Sequence, residues 1–107
     1  MPTFVVRLVH TSDQCPTANT KIRERVIGSG SEMPKLADEL GVKIVTGPLV
    51  LGSEHEAVVV VESDRVDAVN DLVQRSGLIQ WNSVRISIAE PLDQALSNLG
   101  SMPPPIY

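Results

Sequence analysis

The run Ala57-Val58-Val59-Val60-Val61 constrains this chain more than any other feature. β-Branched residues at that density favour an extended strand, whose successive side chains point to opposite faces. A strand apolar on both sides belongs to a sheet covered on both faces. The opening strand makes the same demand, with Phe4, Val6 and Leu8 on one side and Val5 and Val9 on the other. The chain has 107 residues, enough for one domain around one core. Its own helices can cover one sheet face. The other is covered most simply by a second copy of the same sheet, so a homodimer packed through the sheet face is the expectation.

Patterning along the chain supplies the elements around that strand. A first strand is predicted over residues 3–10, stopping at Thr11-Ser12-Asp13. A helix over about 17–28 follows, with Ala18, Ile22 and Val26 as its apolar stripe, until Gly28-Ser29-Gly30-Ser31 breaks it. Ser31 is placed to cap a second helical piece in which Met33, Leu36 and Leu40 share a face. Pro34 sits in its first turn and Gly41 at its stop. A second strand is expected over 42–45, resuming over 49–51 beyond Gly47-Pro48, and the third over 56–62. Ser63-Asp64 then cap a helix with Val66, Val69, Leu72 and Val73 on one face, ending at Gly77. A fourth strand is expected over 83–89, and Leu92, Ala95, Leu96 and Leu99 mark a short last helix. The order is β-α-β-β-α-β with an added C-terminal helix, which predicts an α+β, ferredoxin-like domain. Residues 1–100 form that domain. Residues 101–107 are an extended Pro-rich tail, with Tyr107 expected to anchor it across the dimer.

Three segments carry a family resemblance: the opening strand, Lys35-Leu36-Ala37-Asp38-Glu39-Leu40-Gly41-Val42-Lys43, and Leu51-Gly52-Ser53-Glu54-His55-Glu56 leading into Val58 to Glu62. On these, over roughly residues 3–96, the chain resembles the dimeric α+β barrel superfamily, most closely its small GYD-domain-like members. The resemblance implies a sheet-to-sheet dimer. The superfamily includes cofactor-independent monooxygenases, small isomerases, haem-handling enzymes and small metal-binding proteins, so the fold alone selects no activity. Where GYD-like proteins carry a Gly-x-Tyr-Asp turn, this chain has Gly52-Ser53-Glu54-His55-Glu56, and a role tied to the aromatic does not transfer.

Composition removes whole classes of function. Nine Lys and Arg against thirteen Asp and Glu give a net charge of −4, which argues against a nucleic-acid-binding module. Phe4, Trp81 and Tyr107 are the whole aromatic inventory, too few to stack successive bases. No apolar run approaches the roughly 20 residues of a membrane span. A single Cys and the absence of a charged-then-apolar leader predict a cytoplasmic protein.

Chemistry concentrates at one sheet end. Strand one is expected to lie antiparallel beside strands three and four. Its end, His10, then falls near the start of strand three, His55, and near Trp81-Asn82 ahead of strand four. Cys15 sits on the loop leaving strand one. Two imidazoles and a thiolate suit a divalent transition metal: Zn, Ni, Cu or Fe. Glu54 or Glu56 can add an oxygen ligand, though strand alternation turns only one inward with His55. A second possibility is a metal-free site. Cys15 ahead of a helix start is then a low-pKa thiol, with His10 or His55 as base and Asn82 or Glu56 orienting the ring. A third is that the histidines are ordinary strand-end residues and Cys15 a small buried hydrophobe. A cavity enzyme or a non-catalytic binding module for a small apolar molecule, lined by Phe4, Val6, Ile44, Val59 and Trp81, is a further alternative. Lys21, Arg23 and Arg25 read as a solvated helix face.

Overall fold

A computed structural model of the protein describes residues 1–106. The role expected for Tyr107 lies outside the described residues. Four strands, β1 (Thr3–Val9), β2 (Lys43–Val50), β3 (Glu56–Glu62) and β4 (Ser83–Ala89), form one antiparallel sheet in the order β2-β3-β1-β4. Four helices join or follow them: α1 (Thr20–Ser29), α2 (Met33–Leu40), α3 (Val66–Arg75) and α4 (Leu92–Leu99). This is an α+β arrangement compatible with the ferredoxin-like pattern. The central pairings align Val6 with Val59 and with Ile86, so strand alternation is in phase across β3, β1 and β4.

One sheet face is packed beneath α2 and α3. Phe4, Val6, Leu8, Val59 and Val61 meet Ala37 of α2 and Ala68, Val69, Leu72 and Val73 of α3 in one buried cluster. The α3 face differs from the predicted one at a single residue. Val66 opens the helix and is exposed, and Ala68 takes its place in the core. Ser63 is buried but caps nothing in α3; its Oγ accepts from the Arg65 amide, and the N-cap position falls at Arg65. Likewise Glu32, not Ser31, precedes α2. Gly41 does end α2, in the left-handed conformation at φ 74°, ψ 31°. β2 runs unbroken from Lys43 to Val50, with register shifts around Thr46 and Leu49 where a break was expected. Gly47 makes that possible. At φ 95° it lies so close to β3 that a Cβ there would sit 2.8 Å from the Val58 carbonyl oxygen.

The opposite sheet face carries Val5, Arg7 and Val9 from β1, Glu56, Val58 and Val60 from β3 and Leu49 from β2. The helices also depart from a closed two-layer domain. α1 starts at Thr20, three residues later than predicted, and stands outside the core, with Ala18 exposed and Ile27 75% exposed. Along α4, Leu92, Leu96 and Leu99 are 73%, 57% and 61% exposed. The radius of gyration is 16.4 Å, against about 13 Å for a compact chain of this length. Among the described residues, no helix is long and apolar enough to cross a membrane.

Candidate metal centre

Three loops meet where β1 ends and β3 begins. The His10 amide donates to the His55 carbonyl at 3.1 Å, extending the β1–β3 ladder by one step beyond Val9 and Glu56. His55 closes the short turn Gly52–Glu54 in the left-handed region, at φ 54°, ψ 38°. A side chain other than glycine costs about 1–2 kcal/mol there, and such outliers gather at functional sites. The antiparallel pairing thus brings the two imidazoles together as the topology predicts. Their ring centroids are 5.6 Å apart, edge to face.

The Cys15 loop is held by its own hydrogen bonds. The Gln14 amide donates to the Thr11 carbonyl, and the Ala18 and Asn19 amides both donate to the Cys15 carbonyl, at 2.9 and 2.8 Å. Asn19 caps α1 by accepting from the Ile22 amide at 3.0 Å and uses its own NH2 on the Asp13 carbonyl. Arg23 reaches back from α1 to the Pro16 and Thr17 carbonyls, both at 2.8 Å. Arg23 is exposed with Lys21 and Arg25 on the solvated face expected for them, and it also ties the helix to the cysteine loop. Arg25 is engaged too, donating to Gln80.

Within that loop the Cys15 side chain is only 8% exposed and sits 3.0 Å from the Thr17 hydroxyl. The thiol is pulled down from its ordinary 9.0 to about 6. The Thr17 hydroxyl is the main cause, followed by the Thr17 backbone amide and the His10 imidazole; burial opposes them, and His55 adds a smaller pull. A helix start was the expected cause. With α1 beginning only at Thr20, local hydrogen bonds take that part instead. Cys15 is therefore a thiolate near neutral pH, the form that ligates metals and attacks electrophiles.

His10 is held from a third side. Asn82, 9% exposed at the entry to β4, donates through its NH2 to the Leu78 carbonyl at 3.0 Å. Its amide oxygen, 3.1 Å from His10 Nδ1, can only accept. Nδ1 of His10 therefore carries a proton and is the donor in this bond. His10 Nε2 is buried and, among the described residues, has no hydrogen-bond partner. Trp81 lies against the His10 ring at a tilt of 50°, centroids 5.2 Å apart.

His10, Cys15 and His55 each offer one donor atom, and these atoms all lie within 4.8 Å of one another. The acidic candidates stand apart from this group. Glu56, paired with Val9 in register, points to the other sheet face, where Arg7 Nη2 donates to both carboxylate oxygens at 3.0 and 3.1 Å. Glu54 is exposed in the turn before His55. Glu56 is thus occupied elsewhere, and of the two residues proposed to orient a ring it is Asn82 that does so. Asn82 was legible as a neighbour, from its place before β4. Thr17 and Arg23 were not, because short loop contacts leave no periodic signal.

A cavity of about 420 Å³ opens between the sheet and the two N-terminal helices. Leu8, Met33, Ile44, Leu78 and Trp81 form much of its apolar wall, and His10, Asn82 and Arg25 stand among its polar lining. Ile44 and Trp81 were expected to line such a space. Val6 and Val59, also expected there, line with Ile44 a separate small apolar space of about 20 Å³ between sheet and helices, and Phe4 is packed in the core beneath α2 and α3. A more open hollow of about 330 Å³ also borders His10, Trp81 and Asn82, on the side of Thr11 and Gln14. A scan against protein-family models finds no match for this chain, and a search of curated proteins finds none either.

Proposed function

We propose that this is a small homodimeric metal-binding protein in which His10, Cys15 and His55 hold one divalent transition metal at the end of the sheet. The observation that carries the reading is the convergence of three donor atoms within 4.8 Å, one of them a buried ring nitrogen with no hydrogen-bond partner among the described residues. Metal–nitrogen bonds of about 2.0–2.1 Å and metal–sulfur bonds of about 2.3 Å, at tetrahedral angles, separate donors by roughly 3.3–3.6 Å. A contraction of about 1 Å closes the cluster on an ion, comparable with ordinary side-chain displacement. The hydrogen bond from His10 Nδ1 to Asn82 is the kind of outer support that orients metal-binding imidazoles. Zinc, nickel, copper and iron all accept this donor set, and two His with one Cys is also the trigonal set of blue-copper centres. Three protein ligands leave a position open for water or substrate, as in catalytic zinc sites.

The dimer and membership of the dimeric α+β barrel superfamily belong to the same proposal. The strand order supports both, as do the valines on the outer sheet face and the exposed leucines of α4. A cytoplasmic location fits a lone cysteine used as a reduced thiol.

The test is calorimetric titration of the metal-free wild type and of His10→Ala, Cys15→Ser and His55→Ala with Zn, Ni and Cu. The wild type is expected to take one ion per chain. Each variant should bind it more weakly by at least the 10–100-fold seen when outer supports are lost, with the fold unchanged by circular dichroism. Equal, weak binding by all four proteins overturns the metal reading. The second reading then takes its place, a metal-free thiolate–imidazole pair, supported by the Cys15 thiol at about 6. In that case stoichiometric zinc leaves Cys15 alkylation unslowed.

A further inference from the structure

We infer that the 420 Å³ cavity beside the cluster is the ligand pocket of the same site, built for a small, mostly apolar molecule whose single carboxylate or similar oxygen donor completes the metal's coordination. The inference rests on the metal reading and adds to it the class of molecule. His10 is what joins the two, being both a member of the donor cluster and a wall of the cavity.

The lining sets the chemistry of the occupant. Leu8, Met33, Ile44 and Leu78 offer only van der Waals contact, so the body of the ligand is hydrocarbon. The polar lining includes the Arg25 guanidinium, which suits an anionic oxygen better than a cation. Size sets the length. At about 30 Å³ for each water-sized group, the space holds about fourteen non-hydrogen atoms, which admits an eight-carbon acid. A metal with one open position beside an apolar chamber gives such a molecule two anchors at once, a dry slot for the tail and an ion for the head.

Trp81, the only tryptophan, lines the cavity, and its emission therefore reports occupancy. Octanoate and octan-1-ol are titrated into the zinc-loaded and metal-free protein. The expected result is a saturable change with octanoate, at least tenfold tighter in the zinc-loaded form, and a weaker response to octanol that zinc leaves unchanged. Ala57→Phe fills the cavity from β3, and Val26→Phe fills it from α1, away from the buried core. Both should keep wild-type zinc affinity and lose the octanoate response; the second keeps the test valid where the first fails to fold. Zinc binding by the wild type with no octanoate response overturns this inference and leaves the metal site standing. So does an octanoate response equal with and without zinc, or one unchanged in Val26→Phe. A wild type that takes no zinc removes the metal reading and this inference together.

Discussion

Replacing Asn82 by alanine probes how His10 is made ready for a metal. The substitution deletes a hydrogen bond of 3.1 Å to His10 Nδ1 and one of 3.0 Å to the Leu78 carbonyl, at a site 9% exposed. Without its acceptor, His10 Nδ1 loses its hydrogen-bond partner, and the ring loses its fixed orientation. Loss of such outer support typically weakens metal binding about 10–100-fold, which is about 1.4–2.7 kcal/mol. Two side-chain hydrogen bonds at about 0.5–1.5 kcal/mol each also lower the stability of the metal-free fold by about 1–3 kcal/mol. The first number is read by competing the protein against a chromophoric zinc chelator, and the second by thermal unfolding of the metal-free form. Asn82→Asp supplies the contrast, because it keeps an acceptor for Nδ1 and loses only the donor to Leu78; part of the zinc affinity should return. If Asn82→Ala loses stability and yet binds zinc like the wild type, the orientation of His10 by Asn82 plays no part in metal binding.

Three further outcomes follow from the same structure. In the metal-free protein, Cys15 alkylation should rise with a midpoint near pH 6, and Thr17→Val should move that midpoint upward towards the ordinary 9.0, because it removes the largest cause of the shift. The linked stability has a definite sign. A thiol lowered on folding stabilises the fold fully above pH 9.0, and that contribution is lost as pH falls through about 6. Val60→Asp places a charge on the outer sheet face, opposite Val5. If a second copy covers that face, the unpaired charge costs about 3–5 kcal/mol, and light scattering should show monomer where the wild type is a dimer; a wild type that is already monomeric refutes the assembly. Gly47→Ala puts a Cβ 2.8 Å from the Val58 carbonyl oxygen at φ 95°, so a loss above about 2 kcal/mol in chemical denaturation is expected.

Local pattern alone determined much of this protein. β3 and β4 occupy the predicted spans, 56–62 and 83–89, and β1 ends one residue short at Val9. Density of β-branched residues and the intervening turns are local properties, visible without a partner. The βαββαβ order also carried the meeting of His10 with His55, since antiparallel pairing of β1 with β3 follows from the chain path. Tertiary structure decided what depends on direction and on short-range contact. Glu56 and His55 are neighbours in sequence, yet one pairs with Arg7 on the outer face and the other joins Cys15, because alternation and a left-handed turn send them apart. Asn82 and Thr17 act through short side-chain contacts of 3.0–3.1 Å that orient the His10 ring and help lower a thiol's pKa. Amphipathic spacing predicted helices at α1 and α4 and was silent on where they pack. A stripe such as Leu92, Leu96 and Leu99 records that a surface is apolar and leaves open what covers it, because the hydrophobic effect that favours its burial has no direction.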